Sequence, residues 1–248
     1  MTLEQFFAEN REVAVAFSGG VDSAYLLYAA KRYAARVKAY YVSTAFQPAF
    51  ELEDARRLAN ELGADMQVLH VDVLMSGAVV ANPPDRCYHC KNTLFRQILR
   101  AAENDGFPVL LDGTNASDDA GDRPGMRALR ELSVRSPLRE CGLTKAEIRR
   151  LSREAGLFTW DKPAYACLAT RIRTGEEITL QKLKQTEKAE GFLFGLGFRD
   201  FRVRMVGNTA KLELREADLL LLLENREKIV TELRKDYDSV LLNLEVRK

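Results

Sequence analysis

Charge of one sign is missing from this sequence. Its 37 Lys and Arg residues face 36 Asp and Glu, which leaves a net charge of +1 over 248 residues. That balance excludes a strong whole-chain attraction to nucleic acid or to an anionic membrane, so neither is expected as a partner. Long apolar runs are missing too. The longest leucine run, residues 219–223, is far too short to span a bilayer. Residues 1–11 are polar and acidic, with no basic segment leading into an apolar one. No export signal is read there, and a cytoplasmic location is expected. Cysteine is scarce: there are four, and in a reducing compartment they argue for metal or catalytic work more than for disulfides. No internal repeat or low-complexity tract is present. The 46% of hydrophobic residues is enough for one large or two modest domains.

What is there alternates. Apolar runs at 13–17, 37–42, 66–71 and 108–112 read as strands. Helical patterns follow at 24–30, 50–62 and 91–103, and again at 145–155. In the second helix Leu52, Ala55, Leu58, Ala59 and Leu62 form one stripe, and Gly63 stops it. Thr144 caps the helix at 145–155 and Gly156 ends it. Strands alternating with helices predict an α/β fold with a parallel sheet covered on both faces. A nucleotide then belongs at the carboxyl ends of the strands, where their order reverses. Two stretches break the pattern. Residues 81–90 contain Asn82-Pro83-Pro84-Asp85 and present Cys87 and Cys90 in a loop. Residues 162–171 form the second break and carry Cys167. Residues 121–125 read as mobile. After 171 the pattern is helix 176–194, strands 200–206 and 210–215 turned at Gly207-Asn208, helix 216–234 broken near Glu224, and strand 240–246. The expected division is a domain at 1–170 and a smaller α+β domain at 171–248.

Ser18-Gly19-Gly20-Val21-Asp22-Ser23 lies between the first strand and the first of these helices. Two glycines let several N–H groups converge, the helix adds its positive end, and two hydroxyls add donors; such a turn binds phosphate. No Gly-Lys-Ser/Thr follows, so it is not a Walker A loop, and the third glycine of the dinucleotide fingerprint is absent. It resembles the SGGxDS signature of the PP-loop ATP pyrophosphatases. That resemblance implies a Rossmann-like sheet and ATP cleaved between its α and β phosphates, to adenylate a substrate and release pyrophosphate. Ser18, Gly19, Gly20 and Ser23 are then expected to hold the phosphates and Asp22 to help bind Mg²⁺. The backbone from Tyr41 to Ser43 is expected to meet adenine. Gly113 and Asn115 sit in a polar loop at the same sheet edge, with Asp22 and Ser23 central to catalysis.

A cytosolic Cys87-x-x-Cys90 can be a redox pair, half a zinc site or part of an iron–sulfur site. With Cys167 as a third thiolate lacking a near partner, the set suits a [4Fe–4S] cluster with one open iron. Together, the run 84–91 around these cysteines, Asp112-Gly113-Thr114-Asn115, Ala166-Cys167-Leu168-Ala169-Thr170-Arg171, Phe201-Arg202-Val203-Arg204 and Ala210-Lys211-Leu212-Glu213 resemble the LarE family over nearly the whole chain. Members of that family make the nickel-pincer nucleotide cofactor of lactate racemase. They adenylate a carboxylate of pyridinium-3,5-biscarboxylic acid mononucleotide and replace an oxygen with sulfur. In one style of the family a single cysteine gives up its sulfur, and Cys167 aligns with it. In the other, three cysteines hold a [4Fe–4S] cluster that carries an extra sulfide. Cys87, Cys90 and Cys167 resemble the second style, which implies an external sulfide source. The resemblance also implies that Arg202 and Arg204, with Arg171 nearby, bind the substrate's phosphate, and a homo-oligomer is expected. Arg204 and Glu213 also fit a plain cross-strand ion pair, though the phosphate reading is preferred.

Two rival readings fit parts of the sequence: a tRNA thiolase of the same superfamily, which should show an RNA-binding module or basic stripe, and a non-catalytic metal-binding regulator. Other residues take plainer readings. Cys141 reads as packing and His70 as structural. Trp160 reads as loop packing or substrate wall, and the leucine run as helix core or subunit interface. Glu190 resembles a family position that binds metal, yet on a charged helix it is expected to be solvated.

Overall fold

The computed structural model describes residues 1–118 and 124–247. The chain folds into two compact units, Met1–Val73 with Asp85–Lys162, and Leu74–Pro84 with Pro163–Lys248. Of the segment expected to be mobile, 121–123 lies outside the described residues, and Pro124 and Gly125 open a helix.

The first unit runs α1 (Leu3–Glu9), β1 (Glu12–Ala16), α2 (Val21–Tyr33), β2 (Arg36–Ser43), α3 (Ala49–Glu61) and β3 (Met66–His70). The chain leaves it through a short helix of the second unit, α4 (Gly77–Val80). It returns as α5 (Arg86–Asn104), β4 (Val109–Leu111), α6 (Pro124–Glu131), α7 (Pro137–Glu140) and α8 (Lys145–Glu154). Among the described residues these strands form a four-stranded parallel sheet in the order β3-β2-β1-β4. The order turns back beside β1, so the β1–α2 turn stands at the switch point, where α/β sheets leave room for a ligand.

Strand periodicity builds two cores. Val13, Val15, Ala39, Tyr41 and Leu111 pack on one face with Phe6, Leu26, Leu58 and Ile148. Ala14, Tyr40 and Leu110 pack on the other with Ile98 and Ala102 of α5. A one-residue slip in any strand would exchange the two sets. Gly63 and Gly156 end helices in the left-handed region, at φ +56° and +72°. Thr144 caps α8 in a capping box with Glu147.

Cys87 to Cys90 do not lie in a loop, as expected, but form the first turn of α5, which begins at Arg86. The prolines exclude helix only as far as Pro84. Beyond them packing decides over weak propensity: Arg86 is buried, its guanidinium 5.9 Å from the Phe46 ring centroid.

The second unit adds α9 (Leu180–Gly195), β5 (Arg202–Val206), β6 (Thr209–Glu213), α10 (Leu219–Glu224), α11 (Arg226–Leu233) and β7 (Ser239–Leu242). β5 and β6 are an antiparallel hairpin turned at Gly207 (φ +58°), and β7 joins β6 in parallel. Of the leucine run, Leu222 faces the core while Leu220 and Leu223 are exposed.

Candidate active site

Residues 18–23 close on themselves. The Ser18 and Ser23 hydroxyls are 3.0 Å apart, the Ser18 N–H donates to Ser23 Oγ (3.2 Å), and Ser23 Oγ donates to the Gly20 carbonyl (3.2 Å). Gly19 takes φ +74°, and a Cβ there would sit 3.2 Å from Cβ of Ala55. Both the dihedral and the space demand glycine. Gly113, which follows β4, is pressed onto the start of α2: a Cβ would lie 2.9 Å from the Ser23 nitrogen. The expected phosphate loop and the 113–118 loop are therefore one packed structure.

The second loop is held from beneath. Asp112 accepts hydrogen bonds from Ser136 Oγ and Thr114 Oγ1, both 2.5 Å. Buried Asn115 donates its N–H to Asp118 (2.9 Å) and accepts from the Ser117 N–H (2.8 Å). Ser117 Oγ then accepts from the Lys145 N–H (2.9 Å), which fixes the start of α8. From that start Lys145 Nζ reaches Asp22 Oδ2 at 2.5 Å. The other Asp22 oxygen is buried with no hydrogen-bond partner. Burial raises the Asp22 pKa above the usual carboxylate range, and Lys145 offsets this only in part. Lys162 Nζ pairs with Asp54 (2.7 Å) and lies 3.5 Å from the Gly19 carbonyl oxygen, which ties α3 to the loop. Sequence reading singled out neither lysine; each is far from the loop in the chain and carries no motif of its own.

Tyr41 and Ser43 lie at the carboxyl end of β2, adjacent and parallel to β1. The Tyr41 side chain is buried, its hydroxyl has no hydrogen-bond partner, and burial raises its pKa. The Ser43 carbonyl is taken by the Val71 N–H (3.0 Å).

Cys87 and Cys90 stand three residues apart on α5, a spacing that shares one helix face. Arg86 Nη2 donates to Cys87 Sγ (3.7 Å). Cys167 belongs to the second unit, where it caps the 3₁₀ turn Leu168–Arg171. Among the described residues no three or more His, Cys, Asp or Glu side chains are gathered to hold a metal ion. Cys141 is part-buried against the core, which pushes its thiol up and agrees with a packing role. Trp160 likewise packs: its ring centroid is 4.9 Å from Arg153, and its carbonyl accepts from Arg149 (2.7 Å). His70 ends β3, where its side chain is exposed.

Arg171, Arg202 and Arg204 all aim at residues 164–170. Arg171 is fully buried and donates to the Ala166 carbonyl (2.7 Å). Arg202 Nη2 donates to the Ala164 carbonyl (2.7 Å), and Arg204 Nη1 donates to that of Thr170. Arg204 also pairs with Glu213 at 2.9 Å, as the cross-strand alternative anticipates; its side chain is 37% exposed, against 7% for Arg202. Glu190 is not solvated, contrary to expectation. It is 1% exposed because Arg171 supplies a buried counter-charge at 2.8 Å.

Comparison with known proteins gives this arrangement a context. The sequence model of the asparagine synthase family matches residues 4–118. An uncharacterised protein of Synechocystis is 39% identical over 215 residues, 86% of this chain and 80% of that one. The pyridinium-3,5-bisthiocarboxylic acid mononucleotide synthase of Lactiplantibacillus plantarum is 34% identical over 218 residues, 87% of this chain and 79% of its own. The chain belongs to the LarE family. It is an ATP-dependent sulfur-transferring enzyme with a PP-loop fold. A tRNA-specific 2-thiouridylase of Thermotoga petrophila is 26% identical over 59% of this chain and 52% of its own. No described helix is long and apolar enough to cross a membrane.

In this LarE-family protein Asp22 is held at a cost. An acid whose folded pKa is raised binds its proton more tightly folded than unfolded. Its ionisation therefore lowers stability above the folded pKa, and the penalty vanishes below the unfolded value of about 3.9. Asp22→Asn should keep or raise the melting temperature at pH 7, with the difference shrinking towards pH 4, while abolishing ATP cleavage. Lys145, one-third exposed, can be solvated once its partner is neutral. A fall of several degrees in a thermal melt at pH 7 would show the carboxylate to be a net stabiliser instead.

Proposed function

We propose that this protein adenylates a carboxylate of pyridinium-3,5-biscarboxylic acid mononucleotide and inserts sulfur to give a thiocarboxylate, in the maturation of the nickel-pincer cofactor of lactate racemase. The observation that carries this reading is the likeness to the bisthiocarboxylic acid mononucleotide synthase, which runs through both units rather than through the nucleotide-binding unit alone. The likeness to the thiouridylase covers only about half of that enzyme, and the even charge balance does not favour an RNA substrate. A cytoplasmic location and a homo-oligomer belong to the same reading.

A carboxylate is a poor electrophile until one oxygen becomes a leaving group. Its oxygen bonds to the α-phosphorus of ATP, the bond to the β-phosphate oxygen breaks, and pyrophosphate departs. When sulfur attacks the carboxyl carbon, AMP leaves. The Ser18 and Gly20 N–H groups and the Ser18 and Ser23 hydroxyls now bond within the loop; a phosphate would take over those bonds and meet the Gly19 and Ser23 N–H groups as well. Gly113 and Asn115 shape the loop beside it, and the strand end from Tyr41 to Ser43 is the proposed adenine edge. The partnerless, buried Asp22 oxygen fits Mg²⁺, which would neutralise the departing pyrophosphate. Arg202 and Arg204 are the proposed phosphate contacts of the mononucleotide, with Arg171 setting the segment they reach.

For sulfur, the donor set of Cys87, Cys90 and Cys167 fits in kind and number the three thiolates of a [4Fe–4S] cluster. When bound, the cluster would supply a sulfide nucleophile that an external sulfide source can renew.

The test of the reaction is product analysis. ATP incubated with the mononucleotide should give AMP and pyrophosphate, and Ser23→Ala should abolish both; ADP and phosphate would refute the assignment.

Arg204→Ala should weaken mononucleotide binding by roughly 1.5–3 kcal/mol, the worth of a charge-assisted contact, with ATP affinity unchanged in calorimetry. Equal affinity in the variant would leave Arg204 a purely structural residue.

Anaerobically purified protein should contain iron and sulfide that are lost in Cys87→Ser, Cys90→Ser and Cys167→Ser and kept in Cys141→Ala. The polypeptide mass should not change after turnover. Loss of hydrogen sulfide mass at Cys167, with the Cys87 and Cys90 variants still active, would replace the cluster by sacrificial donation.

A further inference from the structure

Cys167 lies in a stretch without regular structure: residues 162–167 belong to no helix or strand. No backbone ladder fixes such a stretch, so something else must. The carbonyls around Cys167 are gripped by guanidinium groups. Arg171 Nη1 donates to the Ala166 carbonyl (2.7 Å), to that of Cys167 itself (3.3 Å) and to Thr170 Oγ1 (2.9 Å). The Thr170 N–H and hydroxyl add two further bonds to the Cys167 carbonyl, at 2.9 and 2.8 Å. The Tyr165 ring lies against the Arg171 and Arg202 guanidiniums, 4.7 and 5.3 Å from its centroid.

Behind this grip stands one carboxylate. Glu190, from α9, accepts from Arg171 Nε (2.8 Å) and the Val203 N–H (2.8 Å) through Oε1. Through Oε2 it accepts from Arg171 Nη2 (3.0 Å) and the Tyr165 hydroxyl. It thereby joins α9, β5 and the cysteine segment. The Arg171 and Glu190 side chains are 0% and 1% exposed. A buried ion pair is a poor device for stability alone, since an apolar pair of the same volume serves as well. What it supplies is direction: the carboxylate holds one edge of the guanidinium, Nε and Nη2, and Nη1 is then aimed at the Ala166 and Cys167 carbonyls.

We propose that Glu190, acting through Arg171, is the positioning residue for Cys167. The inference rests on the reading of Cys167 as a sulfur-site residue, and its test separates the two. The full chain is treated with iodoacetamide, and the modification rate of Cys167 is followed by peptide mass spectrometry, with Cys141, which is no ligand of the proposed cluster, as internal reference. Glu190→Gln removes the charge and should free the segment, raising the Cys167 rate about tenfold with the Cys141 rate unchanged, as expected for local rather than global opening. Its kcat for sulfur transfer should fall, with the KM for ATP unchanged. Tyr165→Phe leaves the charges paired and removes one bond to Glu190; it should shift the Cys167 rate the same way by about threefold, which keeps the test open if Glu190→Gln does not fold. Glu190→Asp should recover part of the wild-type rate. Unchanged Cys167 modification in folded Glu190→Gln or in Tyr165→Phe overturns the proposal, as does an equal rise at Cys141. A selective rise at Cys167 with sulfur transfer unaffected upholds the positioning role and refutes Cys167 as the sulfur site.

Discussion

The tight contact between Gly113 and the start of α2 is the constraint on which the first unit depends. Only a glycine lets the chain leaving β4 pass within van der Waals reach of the Ser23 nitrogen. That passage brings the switch point of the sheet, the amino end of α2 and the 113–118 loop to one place. From there the order of dependence runs outward: Asn115 folds its own loop, Ser117 receives the Lys145 N–H, and Lys145 reaches Asp22. A larger residue at 113 would push on Ser23, the group proposed to hold phosphate, so on that reading the cost would fall on binding before it fell on the fold.

The second unit solves a different problem with different means. Residues 163–167 carry a cysteine but form no element, and loops of this kind are ordinarily the mobile part of a protein. Here side chains supply the order that a ladder would give elsewhere. The two arginines of β5 share a strand face, as their i, i+2 spacing requires; Arg202 reaches back to the segment at Ala164 and Arg204 to the turn that follows it, at Thr170. This accounts for arginine rather than lysine at both positions. A guanidinium can hold a carbonyl or carboxylate on one edge and keep a second edge for another group; an ammonium is a single point of charge.

Much of this was legible because its causes are local. Val13 to Phe17, the two glycines and the apolar start of α2 declare a strand, a turn and a helix within a few residues, and Thr144 with Glu147 declares the start of α8. What stayed hidden depends on distant partners. Lys145 meets Asp22 across 123 positions and Lys162 meets Gly19 across 143. Nothing near either lysine announces the meeting. Glu190 misled for the same reason: it sits among Lys188, Glu187 and Lys184, a surface by composition, and only Arg171, nineteen positions earlier, makes its burial affordable. The first turn of α5 misled differently. Two prolines mark where a helix cannot be, but they do not say how soon one resumes, and buried Arg86 let it resume at once.

The two ion pairs of these sites differ in the quantity that matters for a working enzyme, the cost of letting go. Lys145 and Asp22 keep 34% and 23% of their side-chain surface. Pairs in contact with water contribute about 0–1 kcal/mol, and either partner can turn to a new ligand at small cost. Arg171 and Glu190 have no such outlet. Separating a buried pair by removing one member costs about 3–5 kcal/mol, because the remaining charge has no water to turn to. The first pair is therefore suited to yield to the phosphate and Mg²⁺ proposed for the loop. The second is suited to stay as it is through every step, which is what the segment bearing Cys167 requires if its cysteine is to be found in the same place at each turnover.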